Sequence, residues 1–242
     1  VFEDKVDVSN GAGIVLGGAD DSGDTNTVTF DNSTNNKFTV TGDIVGANDG
    51  ATNDLIFSGS NADVVTFNGT IGSSDQNIDN LKVGDSSAAN AIFDGAVNVD
   101  SVAIDGGSSA ADATFKSTLT VGSTLTVGNS TSNTATTVFE SNLISGDDPL
   151  DGVFLDESNG TANIRFSGTS PQTVDATIDG NTATEGSIFV GDSGDTLASD
   201  VTFTEDIGKG TGAVDSLTVE DNASAELQGD VDFNNNGITL NN

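Results

Sequence analysis

A short apolar pattern that recurs about every two dozen residues limits the folds open to this chain more than any other feature. A Phe is followed four residues later by an aliphatic residue, and several copies place a small residue midway. The pattern begins at Phe67, Phe93, Phe115, Phe139 and Phe203, and its central copies are 26, 22 and 24 residues apart. Phe, small residue and aliphatic residue therefore occupy alternate positions, the period of a β-strand with one buried face.

A second apolar element follows the first in several copies. It reads IDNLKV at 78–83, VDSVAI at 99–104 and VDSLTV at 214–219, and turn-forming stretches such as GDSSAAN separate the elements. Residues of this kind accept tight or left-handed backbone. No segment has helical apolar spacing over ten or more residues, so we expect an all-β chain.

Short strands, turn signals and a period near 24 residues predict a parallel β-solenoid, or β-helix, of roughly ten coils. We expect one elongated domain over 1–242, with a possible loop insertion at 144–160. A β-sandwich is the alternative, because alternating strands and turns also suit that fold. The chain begins at Val1 rather than at Met, so we expect a processed chain or part of a longer surface protein.

The charge balance limits the partners of the chain. Lys and Arg number 6 against 38 Asp and Glu, which gives a formal net charge of −32. Such a chain repels phosphates and anionic membrane surfaces and attracts cations, so we expect no nucleic-acid partner. No apolar run approaches the roughly 20 residues that span a bilayer, and we expect no transmembrane segment in this chain.

The absence of His and Cys limits the chemistry. Nucleophilic triads and zinc sites built on those residues are impossible, so we predict that the chain is not an enzyme. A carboxylate pair of the glycosidase type stays possible in principle. The chain has no Trp or Tyr, the pattern assigns its Phe residues to the core, and Arg165 is expected to be a solvated outward residue on a strand.

Calcium is the best candidate for a bound cofactor. Clusters of Asp and Gly in turns can supply the several oxygen ligands that this cation needs, although turns use the same residues without any metal. The candidate ligands are Asp20, Asp21, Asp24, Asp147, Asp148, Asp151, Asp192 and Asp195.

The stretches VTFNGTIGSSDQNIDNLKVGDSSAANAIFDGAV at 65–97 and ATFKSTLTVGSTLTVG at 113–128 resemble the passenger repeats of large autotransporter surface proteins. The rickettsial outer-membrane surface-layer proteins are the most similar in character. The resemblance covers about 65–143 and 200–240. It implies a long, extracellular β-helix that acts as an adhesin or forms a surface coat, and it carries over no functional residue.

These observations predict a structural, extracellular protein at the cell surface, as a segment of a surface layer, stalk or filament. We expect it to associate with copies of itself or with neighbouring surface-protein copies, and we expect calcium to bridge them. An adhesin that binds a host or neighbour cell surface, or a glycan, is the alternative. A polysaccharide-active β-helix enzyme is a distant third.

Overall fold

The fold is known from a computed structural model that describes most of the chain. The described residues are 6–7, 13–17, 23–32, 38–47, 50–59, 64–73, 78–84, 88–105, 109–128, 133–145, 152–157, 160–181, 185–192, 199–210 and 212–241. Within these ranges the regular elements are β-strands. Across the same ranges, no helix is long and apolar enough to cross a membrane.

The strands are short and follow one another closely along the chain. They are β1 (Val6–Asp7), β2 (Ile14–Leu16), β3 (Thr25–Asn32), β4 (Phe38–Thr41), β5 (Ile44–Gly46), β6 (Thr52–Gly59), β7 (Val65–Phe67), β8 (Ile78–Gly84), β9 (Ala89–Phe93), β10 (Val97–Asp105), β11 (Ala111–Phe115), β12 (Leu119–Gly128), β13 (Thr134–Phe139), β14 (Leu143–Ser145), β15 (Gly152–Asp156), β16 (Thr161–Phe166), β17 (Gln172–Asp175), β18 (Thr177–Gly180), β19 (Glu185–Val190), β20 (Asp200–Phe203), β21 (Val214–Val219), β22 (Ser224–Leu227) and β23 (Phe233–Leu240).

Two long sheets contain nearly all of these strands. The first sheet has ten strands in the order β1-β4-β7-β9-β11-β13-β16-β19-β21-β23. The second sheet has eleven and runs from β22 through β20, β17, β14, β12, β10, β8 and β6 to β3, with β15 and β18 beside that path. Strands β2 and β5 form a separate pair.

All the described strand pairs are parallel, and each joins strands from successive coils. The chain is therefore a parallel β-solenoid, as the repeat predicts, and the sandwich alternative is wrong, because sandwiches pair their strands antiparallel. The solenoid has about seven turns rather than the ten coils expected from the sequence.

The predicted Phe pattern lies in register through the centre of the first sheet. The paired residues are Phe67, Phe93, Phe115, Phe139 and Phe166, one from each of five successive strands. All five are buried. Successive rings from Phe93 to Phe166 stack with centroids 4.9–5.6 Å apart. Stacked aromatic pairs of this kind add to the free energy gained from area burial alone.

The aliphatic half of the pattern also stacks. Ile71 pairs with Val97, Val97 with Leu119 and Leu119 with Leu143, so each lies under its counterpart in the next coil. The small residue midway is needed because successive backbones meet closely at this corner. A Cβ added to Gly95 would lie 1.9 Å from the carbonyl oxygen of Gly69.

Two sequence equivalences are wrong. Phe203 pairs with Val174 and Leu227 in the second sheet, outside the column of Phe67 and its partners. The stretch 214–219 forms β21 of the first sheet, whereas 78–83 and 99–104 pair with each other in the second. Alternating apolar residues fit either sheet, so the motif does not by itself indicate which one.

The region expected to hold a loop insertion contributes to two strands, β14 and β15. β15 pairs with β12 on one side and β18 on the other, and so continues the second sheet. Residues 146–151 and 158–159, where the remainder of that predicted insertion falls, lie outside the described residues.

Candidate functional site

The predicted calcium ligands are only partly covered by the described residues. Asp24 and Asp192 are described and exposed. The others lie outside the described residues: Asp20, Asp21, Asp147, Asp148, Asp151 and Asp195. In the part of the chain that the structure describes, no three acidic side chains are grouped closely enough to hold a metal ion. Calcium binding therefore stays a prediction.

The two described candidates have local partners. The backbone carbonyl of Asp24 accepts a hydrogen bond of 2.9 Å from the Thr52 N–H. The Asp192 carboxylate lies 3.2 Å from the Arg165 guanidinium and forms an ion pair with it. Asp192 thus compensates the charge of an arginine on the neighbouring coil.

Arg165 lies on the outer surface of β16, as the strand alternation predicts, but it is not simply a solvated residue. Its guanidinium carbon is 4.7 Å from the centre of the Phe189 ring. Nη1 also donates a hydrogen bond to the Gly191 carbonyl. A cation over an aromatic face gains electrostatic energy from the ring quadrupole. Arg165, Phe189 and Asp192 therefore form one cluster on the outside of the solenoid.

The assignment of every Phe to the core is wrong, because Phe189 and Phe154 are only half-buried. In β19 the buried residues are Ile188 and Val190, so Phe189 between them must point outward. The alternation in EGSIFV carried this signal. The outward position of Phe189 was missed because the repeat pattern favours an inward position for each Phe.

The outward side chains of β7, β9, β11, β13, β16, β19 and β21 form a surface that we call the first-sheet face. Strand register aligns one column of them along the solenoid: Thr66, Ile92, Thr114, Val138, Arg165, Phe189 and Thr218. A neighbouring column contains Asn90, Asp112, Thr136, Asn163, Ser187 and Ser216. Threonines are interspersed with mostly apolar side chains along the first column, whereas every residue of the second column is polar or charged.

Few charges lie on the first-sheet face. Its described side chains include two carboxylates, Asp112 and Asp215, and one guanidinium, Arg165. The Asp112 residue is exposed as a whole, yet partial burial of its carboxyl raises its pKa, and a hydrogen bond with Thr136 only partly offsets this. On a chain with a net charge of −32, a strip with almost no charge is unusual.

The second sheet carries many more carboxylates. They include Asp31, Asp54, Asp79, Asp100, Asp105, Asp156, Asp175, Asp179, Asp200 and Glu226. Several accept hydrogen bonds from adjacent coils. Asn80 donates to Asp54 at 2.7 Å, and the Asn53 N–H donates to Asp79 at 2.6 Å. The acidic residues of this sheet thus join successive coils and also give the surface its negative charge.

One corner of the solenoid neutralises charge locally. The Lys116 Nζ lies 2.9 Å from the Asp94 carboxylate. The hydrogen bond to Asp94 and the charges of Asp94 and Glu140 raise the pKa of Lys116 above its usual value. A lysine between two acids of neighbouring coils relieves repulsion that the stacking would otherwise cause.

An open groove of about 480 Å³ lies where β21 and β23 meet the turn before β22. Its lining consists of Val219, Glu220, Asp221, Asn222, Ala223, Leu240 and Asn241. Large apolar residues are exposed in the same region: Val231, Ile238 and Leu240. The groove mixes apolar and acidic residues and is open to solvent.

No family model, curated protein or solved structure matches this chain. The resemblance to autotransporter passengers therefore stays a prediction that rests on the quoted stretches alone.

Proposed function

We propose that this chain is a structural segment of an extracellular surface layer, stalk or filament, and that it associates with copies of itself at the cell surface. The observation that carries the proposal is the in-register stacking of ten parallel strands in one sheet. At about 4.8 Å per strand, this sheet extends over about 45 Å. A rod of this kind presents the same kinds of side chain at regular intervals, which suits repeated contacts.

The uneven distribution of charge supports self-association. Copies of a chain with a net charge of −32 repel each other over most of their surface. The first-sheet face is the exception, since it carries two carboxylates and one guanidinium. Divalent cations between acidic surfaces would reduce the remaining repulsion, so we further propose that calcium promotes assembly.

An adhesin is the second candidate function, and the Arg165–Phe189 cluster favours it. An outward aromatic ring under a guanidinium offers both stacking and charged hydrogen bonding, which are common in recognition surfaces. Under this alternative the rods stay monomeric and bind cells or glycans through that cluster.

Multi-angle light scattering tests the proposal. The purified chain is measured over a range of concentrations with millimolar calcium, with magnesium at equal ionic strength, and after chelation. We expect a mass above the 24.2 kDa of a monomer, higher with calcium and lower after chelation. A mass of 24.2 kDa in every condition contradicts self-association and leaves the adhesin as the better candidate.

A further inference from the structure

The first-sheet face is large enough to be a dimer interface. Its seven strands at about 4.8 Å extend over about 30 Å, and five positions along each strand at about 3.3 Å give a width of about 17 Å. The product, about 500 Å² per partner, corresponds to the smaller interfaces of weak or transient dimers, which bury less than about 1,200 Å² in total. No additional element is needed to build a contact surface.

The distribution of charge indicates that a second copy of the same chain binds to the first-sheet face. Another copy approaching the carboxylate-rich second sheet would bring many like charges together, which costs free energy. At the first-sheet face, Arg165 of each copy can be matched by Asp112 of the other, and Asp215 already accepts hydrogen bonds from Asn236 within its own copy. This face is therefore the described surface on which two copies meet with the least repulsion.

The order of residues along the face is self-complementary about Val138. Asp112 and Arg165 lie one strand to either side of β13, and Ile92 and Phe189 lie two strands to either side. A two-fold axis along β13 places Arg165 of one copy against the strand that carries Asp112 in the other. The same axis places Ile92 against Phe189.

The parallel arrangement of two copies lacks this complementarity. The two-fold axis then runs along the solenoid, so each strand faces its own counterpart with reversed direction, and only one column of residues can face itself. With that axis on the column of Val138, Arg165 lies against Arg165 of the other copy. Like charges that face each other across an interface are strongly unfavourable. The antiparallel arrangement pairs opposite charges and apolar side chains, as an isologous contact requires.

We propose that two copies of this chain pack face to face through the first-sheet face, antiparallel, with the two-fold axis beside Val138. This inference rests on the proposed function and names the surface through which the copies associate.

Sedimentation velocity of matched Phe variants tests the surface. Phe189→Ser removes an outward aromatic ring from the first-sheet face, and Phe154→Ser removes one from the second sheet. We expect Phe189→Ser to raise the dimer dissociation constant by about tenfold or more, and Phe154→Ser to leave it within about twofold. Equal effects of the two variants, with both folded by circular dichroism, overturn the proposal.

Exchange of the charged pair tests the orientation. Arg165→Asp should weaken the dimer strongly, and the double variant Asp112→Arg/Arg165→Asp should restore much of the affinity, because the opposite charges again face each other. The double variant does not restore the ion pair with Asp192 or the contact with Phe189 inside one copy. Recovery of dimer affinity in the double variant therefore reports the contact between copies. A double variant that dimerises as weakly as Arg165→Asp counts against the orientation.

Engineered cysteines provide a second test of the orientation, because the natural chain has no Cys. Sheets packed face to face lie about 10 Å apart, too far for a direct disulfide, so a bifunctional thiol reagent of about that length is used to link the copies. Thr136 on β13 lies beside the proposed axis, so Thr136→Cys should be cross-linked to itself. Thr66 on β7 lies three strands away, about 14 Å from the axis and so about 29 Å from its own copy. Thr66→Cys should not link to itself, and preferential linking of Thr66→Cys overturns the antiparallel arrangement.

The outcomes separate the inference from the proposed function. A wild-type chain that is monomeric in every condition overturns both. Assembly that persists unchanged in Phe189→Ser and Arg165→Asp retains the proposed function and rejects the first-sheet face as its surface.

Discussion

The coil of Phe115 and the coil of Leu240 place large apolar side chains in the same column of the first sheet. The register runs from Phe115 through Phe139, Phe166, Val190 and Val219 to Leu240. Phe115 is 0% exposed and Leu240 is 69% exposed. Burial at a given position is thus set by whether a further coil covers it, as expected where each repeat contacts only its neighbours.

The largest expected difference concerns truncation of these two side chains. Phe115→Ala leaves a cavity between two stacked rings and should lower the free energy of unfolding by about 3–5 kcal/mol. Leu240→Ala should cost less than about 1 kcal/mol, because most of that side chain is already in water. Urea denaturation followed by circular dichroism measures both free energies of unfolding. Similar losses of stability in the two variants would contradict the difference between the two coils.

A methyl group at a corner of the central coils should have the next largest effect. Gly95→Ala places a Cβ 1.9 Å from the Gly69 carbonyl oxygen, and the backbone must shift. We expect a loss of about 2 kcal/mol, within the range for overpacked sites. The control is Gly122→Ala, whose Cβ meets the flexible Asp100 carboxylate at 2.9 Å. A Gly95→Ala melting temperature no lower than that of Gly122→Ala would contradict the close approach.

A buried hydroxyl in a central coil should give an effect of opposite sign. Thr137 is fully buried, and its Oγ1 has no hydrogen-bond partner among the described residues. Thr137→Val keeps the shape and removes the unpaired group, which should stabilise the chain by about 1 kcal/mol. Thr218→Val, on the outer face of β21, should change stability by less than about 0.5 kcal/mol. Destabilisation by Thr137→Val would show that the hydroxyl has a partner.

The smallest expected effect depends on pH. Burial raises the pKa of Asp112, so the Asp112 carboxyl binds a proton more tightly in the native state than in the unfolded state. Its charged form therefore costs stability at neutral pH, and that cost disappears as pH falls through the raised pKa. Asp112→Asn should gain a few tenths of a kcal/mol at neutral pH, a small value because solvent screens the exposed residue.

The control for this titration is Asp230→Asn in an end coil, at an exposed position. The advantage of Asp112→Asn over wild type should shrink as pH is lowered, in thermal melts recorded between neutral and acidic pH. An advantage that grows on acidification contradicts the raised pKa of Asp112.

The repeat was predictable in the centre of the molecule because it obeys two simple rules there. Alternation assigned Phe67 and Ile71 to the core, and steps of 22 to 26 residues assigned Phe93, Phe115 and Phe139 to the same column. The coil of Phe166 was missed because the residue four positions later, Ser170, is not aliphatic. The residue that pairs with Leu143 is Val174, eight positions after Phe166, because the corner Ser167–Pro171 is longer. Longer corners change the spacing without changing the stacking.

Gln172 shows why the details of that longer corner could not be predicted. This polar residue is 2% exposed, and its amide donates to the carbonyls of Phe139 and Ser141 and accepts from the Gly168 N–H. Its side chain thus ties the longer turn to the preceding coil, where the Phe139 carbonyl also accepts a hydrogen bond from the Ser167 N–H. Sequence periodicity favours apolar residues at inward positions and carries no signal for such a substitute.

The first-sheet face could not be predicted from the sequence, for a different reason. Alternation indicates that Arg165 and Phe189 point outward, but only the register shows that they are adjacent and that Asp112 and Arg165 lie on either side of β13. Strands that pair along this face are 22 or 24 residues apart in sequence, as β9 with β11 and β16 with β19 show. Composition reports the net charge and does not show where charge is missing.

Hydrogen exchange resolved by strand is the most direct test of the central claim that neighbouring coils stabilise one another. It is measured by mass spectrometry on dilute protein, so that association does not cover the surface. We expect the amides of β9, β11, β13 and β16 to exchange slowest and those of β22 and β23 fastest, since local opening needs least free energy where coils are covered on one side only. Equal protection of both regions, or faster exchange in β11 and β13 than in β23, would contradict the account.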